Sequence, residues 1–138
     1  MMSATVEKPR PTLDQQRAAH AWAAVCEAKQ QAGEHKNQSP KKFGGQAKKL
    51  PLRIMASGLG QALAFLKAKN YAPGLVAVLT DWTAERLPPR PGESRDLLDR
   101  IIHGDSEFLR RATDEVLAYL VWLNRFAEAE GLTEGDGE

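Results

Sequence analysis

The chain has 138 residues, of which 42% are apolar and 27% charged, and its formal net charge is +1 at neutral pH. That size and balance predict one domain around one core and exclude wholesale disorder. No charge-free apolar run approaches the ~20 residues that span a bilayer, the N-terminal MMSATVEKPRP has no apolar signal segment, and the lone Cys26 forms no internal disulfide, so a cytoplasmic protein without membrane contact is expected.

Residues 1–11 read as a flexible arm, with Pro9 and Pro11 interrupting regular structure. A helical domain is expected over residues 12–130. Thr12 and Gln15 have capping-box spacing, Asp14 favours the positive helix end, and LDQQRAAHAWAAVCEAKQQA holds no breaker before Gly33. After the polar loop EHKNQS, Ser39 and Pro40 start a short second helix to about Lys49, weakened by Gly44 and Gly45. Pro51 is read as opening a third helix whose apolar residues Leu52, Met55, Leu59, Ala62, Leu63 and Leu66 recur at spacings of three and four. Gly58 and Gly60 inside it imply close approach by another backbone or a kink.

Pro73 starts a fourth helix carrying Leu75, Val76, Val78, Leu79 and Trp82, which the prolines of LPPRPGE end. Ser94 and Asp96 cap a short fifth helix through Ile101, Ile102 and His103, stopped by Gly104. Asp105 or Ser106 caps a long last helix to about Glu130, and its run VLAYLVWL (Val116 to Leu123), apolar on every side, is expected to be buried all round. The tail over residues 131–138 is acidic and glycine-rich and reads as disordered. No alternating strand pattern of useful length occurs. The predicted fold is all-α, a compact single-domain bundle of five to six helices.

No catalytic constellation emerges from residue spacing. Gly58-Leu59-Gly60 matches two glycines of a dinucleotide fingerprint, but the third is missing and no strand precedes it. His20, His35 and His103 are widely separated and one cysteine cannot build a zinc site, so no metal centre and no cofactor are expected. His103 is read as a helix C-terminal residue facing the dipole. The carboxylate pairs Asp96/Asp99 and Asp114/Glu115 have no nucleophile or histidine beside them as an obvious partner and are read as solvated helix faces.

Charge is the informative feature. From Lys29 to Lys69 nine basic residues face one acid, Glu34, a local excess of +8, whereas from Ile101 onward three arginines face nine acids, giving −6. Such segregation points to a polyanionic partner, since binding answers to the local field. Lys41 and Lys42 precede Lys48 and Lys49 on a predicted helix, and the only aromatic among these pairs is Phe43. Without a stacking platform, phosphate-backbone contact is the expected mode.

The segments LDQQRAAHAWAAV, KKFGGQAKKLPLRIMASGLGQALAFLKAK and FLRRATDEVLAYLVWLNRFAEAEG together resemble the small helical subunit of the Cmr-type (type III-B) CRISPR effector complex, from Leu13 to Gly131. The resemblance implies a non-catalytic antiviral-defence protein that stacks in several copies beside the other subunits of the complex, along the channel where guide RNA pairs with target RNA. The family brings no catalytic motif. Lys41, Lys42, Lys48, Lys49 and Arg53 become the leading RNA-binding candidates, with Arg17, Lys67 and Lys69 behind them. The alternative is a helical protein-protein adaptor whose lysines meet an acidic neighbour without direct RNA contact. A third reading, a DNA-binding protein using its fifth helix for recognition, is disfavoured because RDLLDRII carries as many acids as bases.

Overall fold

The computed structural model describes residues 9–31 and 39–133; the predicted arm up to residue 8, Gly33, the loop from Glu34 to Gln38 and the tail from residue 134 lie outside them. Among the described residues there are six α-helices and no strand: α1 (Leu13–Gln30), α2 (Pro40–Ser57), α3 (Leu59–Lys69), α4 (Pro73–Arg86), α5 (Leu97–His103) and α6 (Ser106–Ala129). The all-α expectation is met.

Local chemistry sets most of the boundaries. Thr12 and Gln15 form the full capping box, each side chain bonding the other's backbone N–H. Ser39, Asp96 and Asp105 cap α2, α5 and α6 by accepting from Lys42, Asp99 and Phe108 N–H groups. Pro73 occupies the first turn of α4, after Asn70 and Ala72 turn the chain in the left-handed region.

One boundary differs. α2 does not stop near Lys49 for Pro51 to open a new helix; it runs through Pro51 to Ser57, and the break falls at Gly58, whose φ of +88° suits glycine. Pro51 removes a single backbone donor, while Leu50 and Ile54 on either side of it are buried and hold the helix in one piece. Continuity changes which residues face outward. Leu52 and Met55, expected in the core, are 75% and 77% exposed, because they share the outer stripe of α2 with Lys41 and Lys48 while Phe43, Ala47, Leu50 and Ile54 face inward.

The core centres on α6, against which α1, α2 and α4 pack; α3 joins α2, α4 and α5. Cross-links Arg17 to Glu115, His20 to Tyr119 and Lys29 to Glu130 advance together along both chains, so α1 and α6 run parallel. The VLAYLVWL run is not enclosed: Tyr119, Leu120 and Leu123 are fully buried, yet Val121 is 66% exposed.

The tightest backbone approach occurs at a glycine not singled out for packing. A Cβ on Gly44 would collide with the backbone carbonyl of Leu132, whereas nothing lies within 4 Å of one on Gly58 and one on Gly60 would meet only the Ile101 Cγ2 at 3.4 Å. Gly44 therefore permits a close contact between α2 and the chain just after α6. Leu132 arrives there because α6 ends in a Schellman motif: Gly131 takes φ +70°, and the N–H groups of Gly131 and Leu132 donate to Glu128 and Ala127. Leu132 is buried, so ordered packing extends into the segment expected to be disordered.

Gly44→Ala is expected to destabilise the protein by about 1 to 3 kcal/mol through overpacking. Gly60→Ala, inside a helix with room for a methyl group, is expected to stabilise by roughly 0.4 to 1 kcal/mol. Urea melts of the two variants would order them on either side of the wild type.

Candidate nucleic-acid interface

The cations sought on the sequence come together on α2 and α3. With 3.6 residues per turn, Lys41 and Lys48 fall on one stripe of α2 and Lys42, Lys49 and Arg53 on the next. α3 returns antiparallel: the Arg53 guanidinium carbon lies 4.4 Å from the centre of the Phe65 ring, and Lys42 Nζ 4.5 Å from that of Tyr71. Lys67 and Lys69, in the last turn of α3, are thereby carried back alongside α2. Lys69 follows Phe65 by one turn on the same side, while Lys67 points away from it.

The environment of these groups is uneven. Lys41, Lys48, Lys67 and Lys69 are exposed, and among the described residues none of them has a carboxylate partner. Lys42 and Arg53 are half-buried and held over rings, contacts worth on the order of 0.5 to 1 kcal/mol each at accessible sites. Arg53 also donates through Nη1 to Gln46 Oε1. These two cations are thus oriented before any ligand arrives. Phe43 is buried in the core and offers no stacking face. The aromatic residues of this surface are Phe65 and Tyr71, edge to face at 6.1 Å, and sequence spacing alone did not pair them with Lys42 and Arg53. They lie beneath cations, which leaves charge as the outward chemistry.

Arg17 is placed elsewhere. Its Nε donates to Glu115 Oε2 at 2.6 Å and its Nη2 to Oε1 at 3.1 Å, a bidentate pair with side chains only 17% and 9% exposed. Trp82 Nε1 donates to Glu115 Oε2 at 3.0 Å, and Arg86 Nε stands 3.6 Å from Oε1. Arg17, counted on the sequence among the weaker RNA-binding candidates, therefore neutralises a buried carboxylate. Glu115, read as part of a solvated face, is corrected to a buried tie between α1, α4 and α6. Burial pushes its pKa up, but hydrogen bonds from Arg17 and Trp82 and the charges of Arg17 and Arg86 together hold it below its ordinary value. Lys29 is also engaged, donating to Glu130 at 2.8 Å.

The remaining titratable groups divide in two. His103 does face the end of α5, with Nδ1 3.1 Å from the Asp99 carbonyl and 3.1 Å from Asp99 Oδ1, so the Asp99 carboxylate does have a histidine beside it; His35 lies outside the described residues. His20, isolated in sequence, meets Asp81, Glu85 and Tyr119 in space. A cleft beneath the proline-rich loop, lined by Arg86, Arg100, Glu93, Asp99, Phe108 and Arg111 among others, mixes both signs of charge. No described helix is long and apolar enough to cross a membrane.

A small all-α protein whose described residues form six helices, with a cation-rich surface on α2 and α3, is the class that fold and site define. Comparison with known proteins names the family within it. Residues 13–130 match the family described as CRISPR-associated protein (Cas_Cmr5). A crystal structure of a CRISPR-associated Cmr5 family protein from Thermus thermophilus is similar to the chain at 33% identity, with a TM-score of 0.67 over 90% of this chain and 100% of that one. The chain belongs to the Cmr5 family, the small subunit of Cmr-type CRISPR complexes.

Breaking the Arg17–Glu115 pair is expected to damage the fold. Arg17→Met should cost about 3 kcal/mol at neutral pH by leaving a buried carboxylate without its main partner. Because Glu115 has a depressed folded pKa, its contribution is present in full above its unfolded pKa near 4.5 and is lost as pH falls through the lower folded value. Denaturation midpoints from pH 7 to pH 3 should therefore fall less steeply for Glu115→Gln than for wild type on the acid side.

Proposed function

We propose that this chain is a non-catalytic subunit of an RNA-guided type III-B effector complex, stacked with further copies of itself beside the other subunits and holding guide and target RNA by their phosphates. The observation that carries this reading is the α2–α3 surface, where exposed Lys41, Lys48 and Lys69 have no carboxylate partner among the described residues and Lys42 and Arg53 are oriented over rings. Cations that bind a repeating anion need no base-reading element, and base pairing supplies sequence recognition in RNA-guided systems. A single copy offers few contacts; stacked copies raise the effective affinity through multivalency. The setting proposed is the cytoplasm.

The adaptor reading has one observation of its own. The stripe carrying Lys41 and Lys48 ends in exposed Leu52 and Met55, apolar groups with nothing to offer phosphate. We assign that end of α2 to a neighbouring protein subunit and the lysine end to RNA, so one helix serves both contacts.

Lys41→Ala with Lys48→Ala should flatten the dependence of log K on log salt by roughly 1.4, since each single-strand phosphate contact contributes about 0.7. The loss should be the same for unrelated target sequences. The measurement belongs on reconstituted complex, where the fourfold change Lys41→Glu, Lys42→Glu, Lys48→Glu and Lys49→Glu should weaken RNA binding without blocking assembly. Wild-type affinity and salt slope in an intact fourfold variant would move the lysines to the adaptor reading; failed assembly with unchanged RNA affinity of the isolated chain would do the same.

A further inference from the structure

We propose that His20, Asp81 and Glu85 form a binding site for a divalent transition-metal ion of the zinc class, bridging α1 and α4. The site lies apart from the α2–α3 lysines and does not depend on the RNA reading. His20 Nε2 stands 2.8 Å from Asp81 Oδ2 and 3.5 Å from Glu85 Oε2, and one donor atom from each residue falls within 4.8 Å of the others. Donors bound to one zinc ion at about 2.0 to 2.2 Å stand roughly 3.3 to 3.6 Å from one another in a tetrahedron and about 2.8 to 3.1 Å at adjacent positions of an octahedron. The observed spacing needs only a small inward turn of Glu85, which is free to make it because its side chain is 59% exposed.

Both carboxylates come from one side of α4, a turn apart, and the imidazole enters from α1. Its orientation is fixed by what surrounds the ring. Trp82 and Tyr119 pack against it at centroid distances of 5.1 Å and 5.4 Å, and Nδ1 lies 2.7 Å from the Tyr119 hydroxyl. A hydroxyl both donates and accepts. It can therefore accept from Nδ1–H when the Nε2 lone pair is directed at an ion, which is the outer-shell bond that characterises ligating histidines.

Asp81 is supported in the same way. Arg95 Nη2 donates to its Oδ1, leaving Oδ2 for the ion. One nitrogen and two carboxylate oxygens, with water completing the sphere, suit zinc or manganese better than calcium or magnesium, which favour all-oxygen shells. In the metal-free protein the same atoms make an ordinary hydrogen bond, Nε2–H donating to Asp81. The ion takes the place of that proton, the ring then carrying its proton on Nδ1 toward the Tyr119 hydroxyl; it joins two helices already tied by Glu115 and stabilises the folded state by binding to it.

The test uses the untagged full chain, stripped with chelator and dialysed, then titrated with Zn2+ in a calorimeter and with Co2+ by visible absorption. One ion per chain is expected, with a rise in thermal midpoint in Zn2+ and none in Mg2+ at equal concentration. Glu85→Gln and Asp81→Asn should each weaken Zn2+ binding at least about tenfold and abolish the thermal rise, whereas Asp114→Asn on the exposed side of α6 should change neither. Glu85→Gln is the decisive variant, since its exposed side chain carries little of the fold; His20→Ala also removes packing against Trp82 and Tyr119. Absent Zn2+ binding, or wild-type affinity in the Asp81→Asn and Glu85→Gln double variant, would reduce the cluster to a histidine–carboxylate hydrogen bond and sink the proposal.

Discussion

A buried carboxylate on α6 sets the arrangement of the helices around it. Glu115 cannot remain charged in the interior without donors, and the fold supplies them from two other helices: both nitrogens of the Arg17 fork from α1 and the Trp82 indole from α4. Hydrophobic contact alone would let three helices slide over one another, because burial is not directional. The bidentate geometry fixes α1 against α6 in register. Trp82 then lies nearly parallel to Tyr119 at 5.5 Å, and His20 is brought to the same place. One charge is thus responsible for both the alignment of the core and the assembly of the polar cluster on its margin.

The same arrangement explains how a nearly neutral protein presents a basic surface. Several acids are matched in place: Glu115 by Arg17, Asp81 by Arg95, Glu107 by Arg110 and Glu130 by Lys29. These pairs lie on or between α1, α4, α6 and the loop before α5. Neither α2 nor α3 contains an acid. Net charge therefore says little about the partner, whereas the separation of paired from unpaired cations says a good deal.

Much of the fold was legible because caps and periodicity act locally. Thr12 with Gln15, Ser39 with Pro40, and Asp105 each marked a helix start by a hydrogen bond made within four residues. Pro51 and Gly58 misled because two breakers competed, and the winner was decided by burial of Leu50 and Ile54 against helices distant in sequence. Among site residues, the α2 lysines were visible as a charge run. Arg17 was ranked behind them, but its partner was hidden, since nothing near it in the chain announces Glu115, 98 positions away. His20 looked solitary for the same reason: its partner Asp81 is 61 positions away. Phe65 and Tyr71 required the antiparallel return of α3 before their relation to Arg53 and Lys42 existed at all.

The Schellman end of α6 has an effect beyond stopping a helix. By laying Leu132 across Gly44, it covers the first turns of α2, the turns that carry Lys41 and Lys42. Shortening the protein to Glu130 would uncover a seam at the root of the basic helix. The end of α6 is thus a structural part of the surface on which the two lysines are displayed.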